Sequence, residues 1–98
     1  MIQLNVGNVL LKPSQRKQVM ASLRRAMKIG QRLGNFMLDL RMSRCGRNFE
    51  IKAIVRDSAG EFTCHSRQHD WRGAMREMAQ ILVSRLHQQW IMRSAVAA

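Results

Sequence analysis

Hydrophobic and polar residues alternate in four stretches of the chain, and this pattern predicts four β-strands. The first stretch is at the amino terminus, where Ile2, Leu4 and Val6 alternate with polar neighbours. Turn residues at 45–48 and 57–60 separate the other three and predict two hairpins. The residues expected on the buried face of these three strands are Phe36, Leu38, Leu40, Met42, Phe49, Ile51, Ala53, Val55, Phe62, Cys64 and Ser66.

Apolar residues repeat at steps of three and four in two other stretches, which predicts two helices. The first helix is expected to span residues 14–33, with Ser14 as its N-cap. The second is expected to follow an N-cap at Asp70 and to end near Arg93. The apolar positions of the two helices are Val19, Leu23, Ala26, Met27, Gly30, Leu33, Trp71, Met75, Met78, Ala79, Leu82 and Leu86.

The element order β-α-β-β-β-α predicts an α+β fold, a four-stranded sheet with two helices packed on one face and its other face open. A chain of 98 residues buries one modest core, so residues 1–93 are expected to form a single domain. Residues 94–98 are expected to form a frayed carboxy-terminal tail. Because 46% of the residues are hydrophobic, the chain has enough apolar surface to fold.

The chain is strongly basic, with 17 Lys and Arg, 6 Asp and Glu, and a formal net charge of +11. On a helical wheel, one set of basic side chains in the first helix lies opposite its apolar positions. We call this set the basic stripe: Lys17, Arg24, Arg25, Lys28 and Arg32. A helix that is merely solvated mixes charges of both signs, whereas residues 1–38 contain no acid. The stripe therefore predicts a surface that follows nucleic-acid phosphates, and Arg72 and Arg76 of the second helix extend it if the helices pack side by side.

The open face of the sheet is the weaker candidate for binding RNA. It is expected to carry both basic and acidic side chains, which neutralise each other across strands. These are Arg41, Lys52, Arg56, His65 and Arg67 with Asp39, Glu50 and Glu61. Sheets that read RNA stack bases on exposed aromatic rings, but here the three Phe face inward and there is no Tyr.

No catalytic or metal site and no cofactor is expected. The candidate ligands are Cys45, Cys64, His65 and His69, but Cys64 and His65 fall on opposite faces of a strand and no Cys-x-x-Cys spacing occurs. The same alternation separates the cysteine from a histidine base. Two cysteines are too few for a disulfide scaffold, and no apolar run approaches the roughly 20 residues of a membrane span. These features favour a cytoplasmic protein that binds its partner without chemistry or contact with a membrane.

Several segments resemble the ribosome hibernation-promoting factors, a family also called ribosomal subunit interface or sigma-54 modulation proteins. They are residues 1–5, 36–40, 54–56, 60–62 and 69–71. The resemblance implies the same β-α-β-β-β-α fold, akin to double-stranded-RNA-binding domains. It also implies a stress-response factor that binds ribosomal RNA of the small subunit, occludes the channel for messenger and transfer RNA, and silences translation without catalysis.

The chain departs from this family at the end of the second helix. It has His87, Gln88, Gln89 and Trp90 where members usually hold a lysine-rich cluster. It also ends without the additional domain of long members, and so resembles a short form. A second hibernation protein as partner, the formation of ribosome dimers and the oligomeric state are left open.

Two further functions are left open by the residues themselves. One is a stand-alone module for other structured RNA, because surfaces that read RNA shape accept many substrates. The other is a protein-interaction adaptor for an acidic partner. Its contacts would be Met37, Ile54 and Trp90, which are expected to be exposed apolar side chains.

Overall fold

The computed structural model shows a mixed four-stranded sheet with helices packed on one face. It describes residues 2–7, 9–32, 34, 36–58 and 60–97, with side chains as far as residue 92. The elements in chain order are β1 (Ile2–Asn5), α1 (Pro13–Ser22), α2 (Arg24–Gln31), β2 (Met37–Cys45), β3 (Asn48–Asp57), β4 (Gly60–Gln68) and α3 (Trp71–Ala97). This is the predicted α+β architecture, except that the first predicted helix is divided into two.

The strands lie across the sheet in the order β1-β2-β3-β4. β1 is parallel to β2, so α1 and α2 form the crossover between them. β3 is antiparallel to both its neighbours, so β4 points the same way as β1. Gly46 and Arg47 close the β2–β3 hairpin, and Gly46 has a φ of 61°, which glycine adopts without strain. The second hairpin joins β3 to β4 as predicted, although Ala59 in its turn lies outside the described residues.

The core lies between the sheet and the helices, as the alternating pattern predicted. All the residues expected to face inward on β2, β3 and β4 are buried, except Phe49, which is half-buried. The helices bury Val19, Leu23, Ala26, Gly30, Ala74, Met75, Met78, Leu82 and Leu86 against them. Met27, Trp71 and Ala79 are only half-buried, and Leu33 lies outside the described residues.

Ser66 is a polar side chain within this core. Its hydroxyl donates a hydrogen bond of 2.9 Å to the backbone carbonyl of Ala74. A buried hydroxyl without a partner costs stability, so this bond explains how a strand can turn a serine inward. The bond also ties β4 to the first turns of α3.

The first predicted helix is interrupted at Leu23. The Ser22 hydroxyl donates to the carbonyl of Gln18 at 2.9 Å, and such bonds bend helices. The backbone N–H of Leu23 donates to the carbonyl of Met20, three residues back instead of four, which tightens the turn. Leu23 keeps a right-handed helical conformation, with φ −89° and ψ −5°. The buried positions of α1 and α2 therefore stay on one face.

The N-cap predicted for the first helix was wrong. The helix begins at Pro13, one residue before the predicted N-cap Ser14, and Lys12 is the N-cap. Proline suits the first helical position because its missing N–H has no partner to lose there. The Gln15 side chain accepts the backbone N–H of Lys12 at 2.8 Å, which closes half of a capping box.

α3 begins where it was predicted to begin and ends later. The Asp70 carboxylate caps it by accepting the backbone N–H groups of Arg72 and Gly73, each at 3.3 Å. The helix continues past the predicted end near Arg93 to Ala97, because residues 94–97 contain neither Gly nor Pro to stop it. The segment expected to form a frayed tail is thus helical, while Ala98 lies outside the described residues. No helix in the described part of the chain is both long enough and apolar enough to cross a membrane.

Gly30 allows α2 to lie close against Phe36. A Cβ atom at this position would lie 2.5–2.6 Å from three carbons of the Phe36 ring, so the ring would have to move. We expect Gly30→Ala to destabilise the protein by about 1–3 kcal/mol in urea unfolding, although alanine favours helix. Gly73→Ala is the matched control, because its Cβ would meet nothing nearer than 3.7 Å. That variant should be as stable as the parent or more stable by up to about 1 kcal/mol, and equal losses in both would contradict the close fit at Phe36.

Candidate nucleic-acid interface

Every side chain of the basic stripe is exposed, as the helical wheel predicted. The stripe is not one continuous row. Lys17 and Arg24 lie with Arg16 on the outer surface of α1 and α2. Arg32, which follows α2, places its guanidinium carbon 6.0 Å from the centre of the Trp90 ring. Arg25 instead faces α3.

A groove of about 590 Å³ separates the α1–α2 layer from α3. Arg25 lines it from one side, and Arg72 and Arg76 line it from the other. β1 and β4, the strands that the two helical layers follow, point the same way. The structure therefore brings Arg72 and Arg76 beside the first helix, as expected for helices packed side by side. That any of these residues binds RNA stays a prediction.

No acidic side chain of the described residues lines this groove. Glu77 accepts a hydrogen bond from the Gln68 amide of β4, on the sheet side of the helix. Asp70 is engaged with the backbone at the start of α3. In the part of the chain that the structure describes, neither the basic stripe nor Arg72 or Arg76 forms an ion pair. The helical face therefore keeps a positive potential that attracts polyanions.

The open face of the sheet carries ion pairs, as predicted. They join Arg41 to Asp39 at 3.0 Å, Arg56 to Glu61 at 3.1 Å, and Arg67 to Glu50 at 3.4 Å. The last two link neighbouring strands, whereas the first lies within β2. Exposed pairs of this kind add little to stability. Their effect is to cancel much of the charge on this face, which leaves the helical face as the basic side of the molecule.

The exposed apolar side chains only partly follow the prediction. Met37 is 44% exposed and Trp90 is 36% exposed, as expected. Ile54 is half-buried instead, because it lies in register between Asp39 on β2 and Thr63 on β4. Among the described residues, the pattern missed four large apolar side chains that are exposed: Leu10, Met20, Ile91 and Met92.

The two cysteines lie in different environments. Cys45 is exposed, whereas Cys64 is in the core, as predicted. Burial raises the pKa of the Cys64 thiol, while the positive charge of Arg85 acts in the opposite direction. A protonated thiol is a weak nucleophile and a weak metal ligand. Among the described residues, no group of three or more His, Cys, Asp or Glu is placed to hold a metal ion.

The uncharged polar side chains of the groove were not predicted from the sequence. They are Gln18, Ser22, Gln80 and Ser84. Part of the signal was present, because positions 72, 76, 80 and 84 follow one another at the helical step of four. The wall formed by the α1–α2 layer had no such signal, because its position opposite α3 depends on how the two helical layers pack.

Several solved structures share this fold. The N-terminal domain of Protein Y from Thermus thermophilus superposes with a TM-score of 0.75 at 17% sequence identity, covering 88% of this chain and 93% of that one. A ribosomal subunit interface protein from Coxiella burnetii gives a TM-score of 0.68 at 13% identity, covering 92% of this chain and 97% of that one. No family model and no curated protein matches the sequence. The structural likeness therefore establishes the fold, which is the one that the sequence resemblance implied.

Proposed function

We propose that this protein is a ribosome-associated factor that silences translation by binding alone. It binds ribosomal RNA of the small subunit through its helical face and occupies the channel used by messenger and transfer RNA. The observation that carries the proposal is the uneven distribution of charge. In the part of the chain that the structure describes, the basic stripe, Arg72 and Arg76 are exposed and form no ion pair, whereas Arg41, Arg56 and Arg67 on the sheet are paired.

The side-chain chemistry of the helical face supports RNA as the ligand. Arginine outnumbers lysine in this chain, and its planar guanidinium makes bidentate contacts with phosphate and stacks on unpaired bases. Neutralising phosphates releases counterions, which supplies most of the affinity of such surfaces. A ribosomal subunit interface protein from Coxiella burnetii is among the proteins that share the fold, which supports the ribosome as the source of the RNA.

Co-sedimentation with purified small subunits tests this function. The protein should pellet with small subunits at concentrations at which it does not shift a free RNA hairpin on a gel. Equal affinity for hairpin and subunit would favour a module for structured RNA in general. Failure to bind either would overturn the proposal and favour a protein partner at Met37 and Trp90. A sucrose gradient of a stationary-phase lysate, probed for this protein, then shows whether it travels with ribosomes in the cell.

Binding should depend steeply on salt. If about five to seven phosphates are neutralised, the logarithm of the affinity should fall linearly with the logarithm of the salt concentration, with a slope of about −0.7 to −0.9 per contact. Titrations of small subunits at a series of salt concentrations measure this slope. A flat response would contradict a phosphate-binding surface and would indicate an apolar protein interface.

A further inference from the structure

We infer that the groove between the α1–α2 layer and α3 receives one unpaired nucleotide of the bound RNA. This inference rests on the proposed function and adds to it a site for a single base. The groove combines two kinds of surface: an apolar floor lies between two polar walls. A surface that only followed phosphates would need no such floor.

The floor and one wall come from two neighbouring rows of α3. Residues four apart on a helix lie one above the other, so each row presents a single kind of surface. The floor row is apolar: Trp71, Met75, Ala79 and Val83. The wall row is polar: Arg72, Arg76, Gln80 and Ser84. The α1–α2 layer supplies the opposite wall with Gln18, Ser22 and Arg25.

These surfaces match the parts of a nucleotide. Any of the four bases can stack favourably on an apolar or aromatic surface, because every base has a flat face. A nucleotide within an RNA strand has a phosphate on each side, and the groove has arginine on both walls. Its hydrogen-bonding edge is free only when it is unpaired, and the walls offer amide and hydroxyl groups to that edge. The groove volume of about 590 Å³ is within the range of sites that bind small organic ligands.

Two of the wall groups are already held by local contacts. The Arg72 guanidinium carbon lies 5.1 Å from the centre of the Trp71 ring, and a cation–π contact of this kind restricts the arginine. The Ser22 hydroxyl gives its proton to the Gln18 carbonyl, so its remaining capacity is as an acceptor. Because these two side chains are already restricted, they lose less conformational entropy when a base enters the groove, and this favours binding.

A pair of RNA duplexes tests the inference. One is fully paired, and the other is identical except for a single bulged nucleotide. The protein should bind the bulged duplex about tenfold more tightly.

Ser84→Phe tests the position of the site. It places a ring in the groove, and the fold should tolerate the change because Ser84 is exposed. This variant should bind the paired duplex as before and lose its preference for the bulge. Thr63→Phe adds the same ring on the exposed sheet face and should keep the preference.

The fluorescence of Trp71 gives a second, local measurement. Trp90→Phe leaves Trp71 as the only tryptophan in the chain. In this background the bulged duplex should change the Trp71 emission, and the paired duplex should leave it nearly unchanged. Adding Ser84→Phe should remove the response.

The results separate this inference from the proposed function. Equal affinity for the two duplexes would overturn the nucleotide site, and so would an equal loss for both duplexes in Ser84→Phe. Neither result would affect RNA binding by the basic stripe. Loss of the proposed function would instead appear as failure of the intact protein to pellet with small subunits, whatever its preference between the duplexes.

Discussion

Changing Arg24, Arg25 and Lys28 to Glu should abolish binding to the small subunit and leave the fold intact. All three side chains are exposed and belong to α2. Arg24 and Lys28 lie opposite its buried residues, and Arg25 lines the groove beside α3. Each reversal removes an attraction to phosphate and adds a repulsion. Together they remove six units of charge from a chain with a net charge of +11. We expect affinity to fall by at least about a hundredfold in co-sedimentation. Circular dichroism and urea unfolding should match those of the parent protein.

A matched variant distinguishes the effect of where the charge is changed from the effect of how much charge is changed. Arg44, Arg47 and Lys52 are exposed residues of the β2–β3 hairpin, so changing them to Glu lowers the net charge equally. This variant should lose far less affinity, because these side chains belong to the hairpin and lie outside both the helices and the groove. Equal losses in the two variants would mean that net charge alone governs binding. Unchanged binding by the first variant, with unchanged circular dichroism, would exclude the basic stripe as the interface.

The strands were predictable because their signal is local and repeats every second residue. Leu38 and Leu40 on β2, and Ile51 and Val55 on β3, are buried where the alternation placed them. The pairing of β2 with β3 and of β3 with β4 followed from the predicted hairpin turns. Even Ser66, a polar residue at an inward position, obeyed the alternation because α3 supplies a hydrogen-bond acceptor for it.

The division of the first helix was not predictable in the same way. The apolar spacing continues unbroken through Leu23, because the residue keeps a helical conformation. The division coincides with a hydrogen bond from the Ser22 hydroxyl to the Gln18 carbonyl, and this hydroxyl could equally bond to water. A sequence pattern does not show which acceptor the Ser22 hydroxyl uses. The fit of Gly30 against Phe36 was hidden for a similar reason, since it depends on how closely α2 approaches the strand that follows it.

The exposure of the basic stripe could be predicted from the sequence, but the groove could not. A helical wheel is sufficient to show that Arg24 and Lys28 face solvent, because the buried residues of their own helix define the other side. It does not show that Arg25 turns toward Arg72 and Arg76 across a groove. That arrangement requires the relative position of α2 and α3, which follows from the sheet order and from the packing of both helices on it.

If the protein occupies the channel of the small subunit, it should compete with transfer RNA and messenger RNA for binding there. Increasing concentrations should reduce transfer-RNA binding to purified small subunits and reduce translation in a purified system in parallel. Occupation of the site is sufficient for this effect, because two ligands that need the same phosphates cannot bind together. Excess messenger and transfer RNA should restore translation, as in any competition for one site.

The two charge-reversal variants make this experiment specific. The variant at Arg24, Arg25 and Lys28 should fail to inhibit at concentrations at which the parent silences translation completely. The hairpin variant should inhibit nearly as well as the parent, since the residues that it changes belong to neither the basic stripe nor the groove. The decisive contrary result would be a protein that pellets with small subunits while transfer-RNA binding and translation continue unchanged. Such a protein would bind the outer surface of the ribosome, and its basic face would serve attachment without occlusion.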